Sequence, residues 1–337
     1  MNFASDTASP AHPKVIEHLI AANAGPAVSY GADGWTLQAE ALLSDMFEAP
    51  LRASFVSSGT ACNALALALL SPPTAGIICH SQAHINCDER GAVEFYSHGA
   101  KLLTLGGKHG RIDAKSLQAL LQSVDESFVH AIPPKAISIS NLSEAGACYS
   151  PRQVSELTRI AKSAGLTTHM DGARLANALA FLAIRPADIT WGSGIDILSF
   201  GLTKTGAMAA EAVILFGEAI DKFDELQARR KRAGHLPPKQ RFIAAQIIAM
   251  LENDLWLETA NHANQMAKLL EEGLRNSKVI ILHPVEGNEV FAQLSPNQTS
   301  QLQDGGVAFY TWPDGSARFV TNWGTDKSEI DKALMLL

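Results

Sequence analysis

Apolar residues recur along the chain in two interleaved patterns. Short runs at 53–56, 76–79, 101–105, 133–141, 166–170, 195–200 and 212–216 have the length and β-branched content of buried strands. Between them, apolar positions return every three or four residues, which predicts helices over 61–70, 114–122, 150–164 and 174–182. Strands alternating with helices at this spacing predict an α/β fold with a mostly parallel sheet covered on both faces. Upstream, residues 1–12 carry turn formers. A helix follows from Pro13 with Val15, Ile16, Leu19 and Ile20 on one face, then a glycine-punctuated loop at 29–34 and a helix over 35–47.

The pattern changes after Phe216. Residues 221–232 read as a charged helix, Pro237 and Pro238 break it, and two long helical runs follow at about 239–252 and 255–275. Short strands at 279–282, 289–294 and 318–322 and a last helix from Lys327 complete a small α/β C-terminal domain. The expected division is a large domain over 1–245 and a small one over 246–337.

Composition narrows the function classes. A chain of 337 residues, 47% apolar, can bury a large core. A formal charge of −7 and no basic run longer than Arg229–Arg230–Lys231–Arg232 argue against a nucleic-acid partner. No basic stretch precedes an apolar segment at the N-terminus, and no apolar run reaches the ~20 residues that cross a bilayer, so neither secretion nor a membrane partner is expected. Cys62, Cys79, Cys87 and Cys148 have no metal-ligand spacing, so reduced thiols, a cytoplasmic location and no metal site are expected.

Chemistry concentrates at two places. In SFGLTKTG (199–206) an apolar strand runs into a tight loop that carries one lysine, Lys204, before a second apolar strand. A desolvated lysine there makes imines with carbonyl compounds, including the aldehyde of pyridoxal phosphate. The plain alternative is a solvated hairpin lysine. In LTTHMDGARLANA (166–178) a strand ends in Asp171, Gly172 permits a sharp exit, and Arg174 follows. A carboxylate at the carboxyl end of a parallel strand sits where α/β sheets bind ligands and can hold a proton on a pyridine nitrogen. Its plain alternative is a helix cap paired with an arginine. Ser57–Ser58–Gly59–Thr60 turns a strand into a helix, and such a turn offers free N–H groups and a positive dipole end to a phosphate.

The ordered set FASDTASP, SYGAD, FVSSGTACNALAL, AHINCDERGA, ISISNLSEAG, THMDGARLANA, SFGLTKTGA, RRKRAGH and ARFVTNW resembles the threonine aldolases, in the β-eliminating lyase group of the aspartate aminotransferase-like (fold-type I) pyridoxal phosphate enzymes. The match covers nearly the whole chain. Where the common branch carries Glu-Asn-Thr-His-Asn, this chain has Ser140-Asn141-Leu142-Ser143-Glu144, similar to a sub-branch of low-specificity L-threonine and phenylserine aldolases.

The resemblance implies roles. Lys204 holds the cofactor as a Schiff base, Asp171 pairs with the ring nitrogen, and His84 stacks on the ring. Ser58, Gly59 and Thr60 form the phosphate cup, and Arg229 or Arg232 reaches the phosphate, commonly across a subunit interface. Arg318, with Arg174 and Ser5, fixes the substrate carboxylate. Asp6, Tyr30, Glu144 and His130 approach the substrate, with Glu144 an acid–base residue of the sub-branch. The β-hydroxyl proton goes to His84, Glu89 or water. The implied reaction cleaves L-threonine, L-allo-threonine or phenylserine to glycine and an aldehyde. The N-terminal arm is expected on a neighbouring subunit of a homodimer or homotetramer. Other readings are β-elimination or racemisation on the same scaffold, a pyridoxal phosphate-binding regulator, or a cofactor-free binding protein. A regulator is disfavoured because no DNA-binding extension is present.

Overall fold

The computed structural model describes all 337 residues. Seven strands form the central sheet: β1 (Leu51–Val56), β2 (Gly76–His80), β3 (Lys101–Leu105), β4 (Pro134–Ser140), β5 (Thr167–Gly172), β6 (Ile197–Gly201) and β7 (Glu211–Phe216). Their order is β1-β7-β6-β5-β4-β2-β3, and only β7 runs against the rest. The strands β2, β6 and β7 are buried at every residue, which is why they read as unbroken apolar runs. Edge strand β3 exposes Lys101 and Thr104.

Side chains alternate between two cores. Ile78, Ile137, Ile139, Met170, Leu198, Phe200 and Ile214 enter a cluster of 39 buried residues, with the helices Pro13–Ala22, Gly34–Phe47, Pro151–Ser163 and Arg241–Leu251. Ile77, Cys79, Ala136, Ile197, Val213 and Leu215 face the other way, onto the helix Gly59–Ala68. That helix is buried from Ala61 through Ala68, so any polar residue within it is paired or costly.

The second sheet holds β8 (Ile280–Ile281), β9 (Glu289–Gln293), β10 (Tyr310–Thr311) and β11 (Ser316–Val320), antiparallel in the order β10-β11-β9-β8. Three findings differ from the sequence expectation. The helix Arg241–Leu251 packs into the large core, as do Trp256 and Ala260, so the transition between cores lies within the helix Leu255–Asn276 rather than at 245. Phe3 is buried in the small core of its own chain. Its N–H donates to Ala308 O and its carbonyl accepts from Val320 N–H, each at 2.8 Å, so the start of the arm is part of the C-terminal domain. The helix Pro296–Asp304 was not expected, because Leu302 is its one buried residue. Its signal was the capping box of Ser295 and Gln298 with Pro296 at the first position.

Candidate active site

A cavity of about 230 Å³ opens at the carboxyl ends of β4, β5 and β6. The turn after β1 forms one wall. Ser58 Oγ accepts from Ala61 N–H at 3.3 Å and starts the helix Gly59–Ala68. The N–H groups of Gly59 and Thr60 lie in the first turn of that helix, where no intrahelical acceptor exists. The space above the Gly59 Cα is open. This is an anion cradle at a helix N-terminus.

Asp171 ends β5. Its Oδ1 accepts from Ala173 N–H at 3.0 Å, and its Oδ2 accepts from the amide of Asn63 at 2.8 Å. Beneath it, His169 lies between Ser138 Oγ and Ser199 Oγ, each at 2.9 Å. Burial pushes the His169 imidazole down to about 4, against the pull of Asp171, so it is neutral.

His84 opens a short helix on the facing wall. Its Nδ1 lies 2.8 Å from Glu89 Oε1. That hydrogen bond raises the imidazole pKa against the cost of burial, helped by the carboxylates of Glu144 and Asp171. Burial also raises Glu89, opposed by its bonds from His84 and Asn63. Glu144 follows β4, and its Oε1 accepts from His84 N–H at 3.2 Å. Burial, with Asp171 nearby, pushes its carboxyl up to about 7.

Lys204 sits on the single turn Thr203–Thr205 between β6 and β7 and lines the cavity. The turn is pinned at both ends. Thr203 Oγ1 donates to Glu211 Oε1, and Thr205 Oγ1 donates to Leu202 O at 3.0 Å. Gly206 closes it at φ 130°, a conformation that glycine alone adopts without strain. Burial pushes the Glu211 carboxyl up to about 7, opposed by Thr203 and by Lys204.

Arg174 closes the outer end. Its Nε donates to Asp6 Oδ2 at 2.8 Å, and its Nη2 lies 3.5 Å from Glu289 Oε1. Burial opposes ionisation of Asp6, but Arg174 and Lys204 outweigh it and hold its carboxyl low. Arg318 stands beside the same glutamate at 3.9 Å, and its Nε is buried with no partner.

An amine, a carboxylate held on both oxygens by N–H donors, an imidazole and an anion cradle share one cavity. They match the aldehyde, ring nitrogen, ring face and phosphate of pyridoxal phosphate, so the residues fit that cofactor. Residues 2–296 match the family model described as "Beta-eliminating lyase". The chain belongs to the β-eliminating lyase family. Within it, the chain is 38% identical to a low specificity L-threonine aldolase of Pseudomonas aeruginosa, over 97% of this chain and 94% of that protein. A threonine aldolase structure from Leishmania major superposes with a TM-score of 0.92 at 27% identity, covering 99% of this chain and 98% of that one. An aminotransferase structure from Staphylococcus aureus superposes at 0.76 and 15% identity, over 100% and 92% of the two chains, a likeness of fold alone. The architecture is that of the fold-type I pyridoxal phosphate enzymes.

The fold brings Lys204, Asp171, His84, Glu89, Glu144, Arg174 and Ser58–Thr60 around one cavity. It does not bring every expected residue there. Ser5 Oγ lies 2.8 Å from Thr7 Oγ1, and Thr7 is the residue that lines the cavity. Asp6 and Arg318 stand behind the wall, held to Arg174 and Glu289. Tyr30 is half exposed, with Lys231 Nζ 4.5 Å from its ring centre. Arg229 pairs with Glu225, and with Arg232 it lines a separate surface hollow beside Phe95 and Tyr96. Arg230, between them, is buried and bonds to Ser54, Gln227, Gln240 and His235 O, so it is a packing arginine. His130 is exposed, its ring 5.0 Å from that of Phe128.

Sequence reasoning missed Asn63, Thr7, Thr203, Glu211, Glu289 and the buried His169. Asn63 and Glu211 had a signal: one polar residue inside an apolar helix, and one carboxylate opening the apolar run of β7.

Proposed function

We propose that the chain is a pyridoxal phosphate-dependent aldehyde-lyase that cleaves L-threonine, L-allo-threonine or related β-hydroxy-α-amino acids to glycine and an aldehyde. The observation that carries it is the meeting of Lys204, Asp171 and His84 in one cavity of a chain 38% identical to a low specificity L-threonine aldolase. When bound, pyridoxal phosphate supplies an aldehyde that condenses with amines and a pyridinium ring that accepts electrons from a breaking Cα bond.

The protein's own groups do the rest. Lys204 would hold the cofactor through its aldehyde. Asp171 keeps a proton on the ring nitrogen. Ser58, Gly59 and Thr60 bind the phosphate. Arg174 meets the substrate carboxylate from the cavity wall, with Arg318 reaching it from behind beside the shared Glu289, and this orients the bond to be cleaved. Glu289 and Asp6 hold those arginines in place. His84, backed by Glu89, takes the β-hydroxyl proton, and Glu144 stands beside it with a carboxyl that changes charge near neutrality.

Tyr30, Arg229 and Arg232 complete the site of a second copy in a homodimer or homotetramer, and His130 approaches the substrate from the loop before β4. No helix is long and apolar enough to cross a membrane. Four free cysteines support a reducing, cytoplasmic location.

The test is aldehyde release by the cofactor-loaded protein from L-threonine, L-allo-threonine, D-threonine and L-threo-phenylserine. Aldehyde with glycine from the L-isomers is the expected result. Ammonia with a keto acid, or an inverted amino acid without aldehyde, would move the function to elimination or racemisation.

A further inference from the structure

Asn63 stands between two carboxylates of the cavity wall and joins them. Its Nδ2 donates to Glu89 Oε1 at 2.8 Å and to Asp171 Oδ2 at 2.8 Å. An amide nitrogen carries two hydrogens, and both are used. The neighbours fix its orientation, because the amide oxygen turned to either carboxylate would set acceptor against acceptor. The oxygen Oδ1 is therefore turned away and is buried with no partner. Glu89 Oε1 also bonds to His84 Nδ1 at 2.8 Å, while Glu89 Oε2 is buried with no partner. Three short bonds thus run from imidazole to carboxylate to amide to carboxylate. Asn63 is 2% exposed and Glu89 5%, so water does little to screen them.

We propose that Asn63 is a positioning residue that couples the His84–Glu89 pair to Asp171, so that the charge on His84 sets the strength with which Asp171 holds a proton on the cofactor ring nitrogen. The inference deepens the proposed function and rests on its pyridoxal phosphate reading. A protonated His84 offsets the charge of Glu89. When His84 loses its proton, Glu89 draws the amide hydrogens more strongly, and Asp171 loses part of its bond. Its carboxylate is then a harder base toward the ring nitrogen. In a poorly solvated chain such polarisation passes from bond to bond.

Other charged groups face the chain from the surrounding elements. Glu144 and Arg174 stand on the cavity side, Lys204 and Glu211 beside β6 and β7, neutral His169 beneath Asp171, and the Cys62 thiol on the helix of Asn63. None of these hydrogen-bonds to both carboxylates, and Asn63 does. Its two donors go to acids on different elements, while its oxygen is left unpaired.

The experiment is a double-mutant cycle on the pH midpoint of the visible absorbance band of the cofactor-loaded protein. The four forms are the wild type, Glu89→Gln, Asn63→Ala and the double variant. Glu89→Gln is expected to move the midpoint by about one unit when Asn63 is present and by less than about a third of that when it is absent. Equal shifts in the two backgrounds overturn the coupling. If Asn63→Ala does not fold, Asn63→Ser carries the same cycle, with the same two outcomes. A second readout is the dissociation constant for pyridoxal phosphate. Coupling through the ring nitrogen predicts the same non-additivity there, and additive losses count against it. A wild-type protein that forms no Lys204-dependent band would overturn the underlying reading, and the inference with it.

Discussion

The cavity wall and the outer face of the helix Phe223–Arg232 both carry charged residues, but in opposite circumstances. On the wall Asp171 and Arg174 are tied to partners from distant parts of the chain. Asp171 meets Asn63 from 108 residues away, and Arg174 meets Asp6 from 168. On the outer helix Arg229 meets Glu225 one turn earlier, in an exposed pair. Burial makes the first kind of contact strong and costly to break, whereas the second contributes little to stability. The wall is therefore built by folding one chain. The outer arginines gain nothing comparable from their own chain, which fits a role toward a second copy.

The sharpest way to break this contrast is to remove the amine. Lys204→Ala should lower aldehyde production by about three orders of magnitude or more and abolish the absorbance band, since the covalent hold on the cofactor is lost. Turnover near the wild-type level would sink the site. The next effect tests the claim that wall contacts are structural as well as functional. Asp6→Ala leaves the Arg174 guanidinium, its side chain 12% exposed, with only Glu289 at 3.5 Å, and should cost about 2 kcal/mol in urea unfolding of the cofactor-free protein. A loss below about 0.5 kcal/mol would place the pair with ordinary surface contacts. Arg318→Gln should raise KM about a hundredfold while leaving kcat within a few fold, because the carboxylate contact serves ground and transition states alike. An unchanged KM would remove Arg318 from substrate binding.

A smaller effect follows from Glu211, whose carboxyl is held up to about 7 by burial. Its unfolded value is near 4.3, so between the two the folded chain keeps a proton that the unfolded chain has lost. Stability from the protonated form is present below the unfolded value and is lost as pH rises through about 7. Glu211→Gln, which cannot titrate, should gain on the wild type by on the order of 2 kcal/mol between pH 5 and pH 8. A constant difference across that range would show that Glu211 does not titrate there.

How much of this was legible in the sequence depends on what each residue answers to. Lys204 and Asp171 lie where a strand gives way to a loop, and strand ends are visible as ends of apolar runs. Asn63 lies inside a helix and Glu289 opens β9, and their meaning comes from partners 26 and 108 residues away for Asn63 and from Arg174 across the two sheets for Glu289. No local pattern carries that information. The sheet was legible because its central strands are buried on both faces. The helix Pro296–Asp304 was not, because it buries one side chain and is held by its caps. The docking of the first residues on the small domain was not legible for a similar reason. Phe3 is one apolar residue among turn formers, and its value lies in the small-domain core it enters.

The smallest effect on folding is the one that best sharpens the contrast. Arg229→Ala removes an exposed pair within one helix, so unfolding should change by no more than about 0.5 kcal/mol. If the outer arginines serve a neighbour's site, the same substitution should weaken pyridoxal phosphate binding several fold, and Arg232→Ala should do so if it is the arginine that reaches the phosphate. Arg230→Ala should behave differently. It empties a buried network around Ser54, Gln227 and Gln240, so it should lower stability before it alters cofactor binding. Sedimentation of the wild type alongside these titrations completes the test. A stable, active monomer whose cofactor affinity ignores both Arg229 and Arg232 would leave the outer face as a solvated charge run and return the whole site to a single chain.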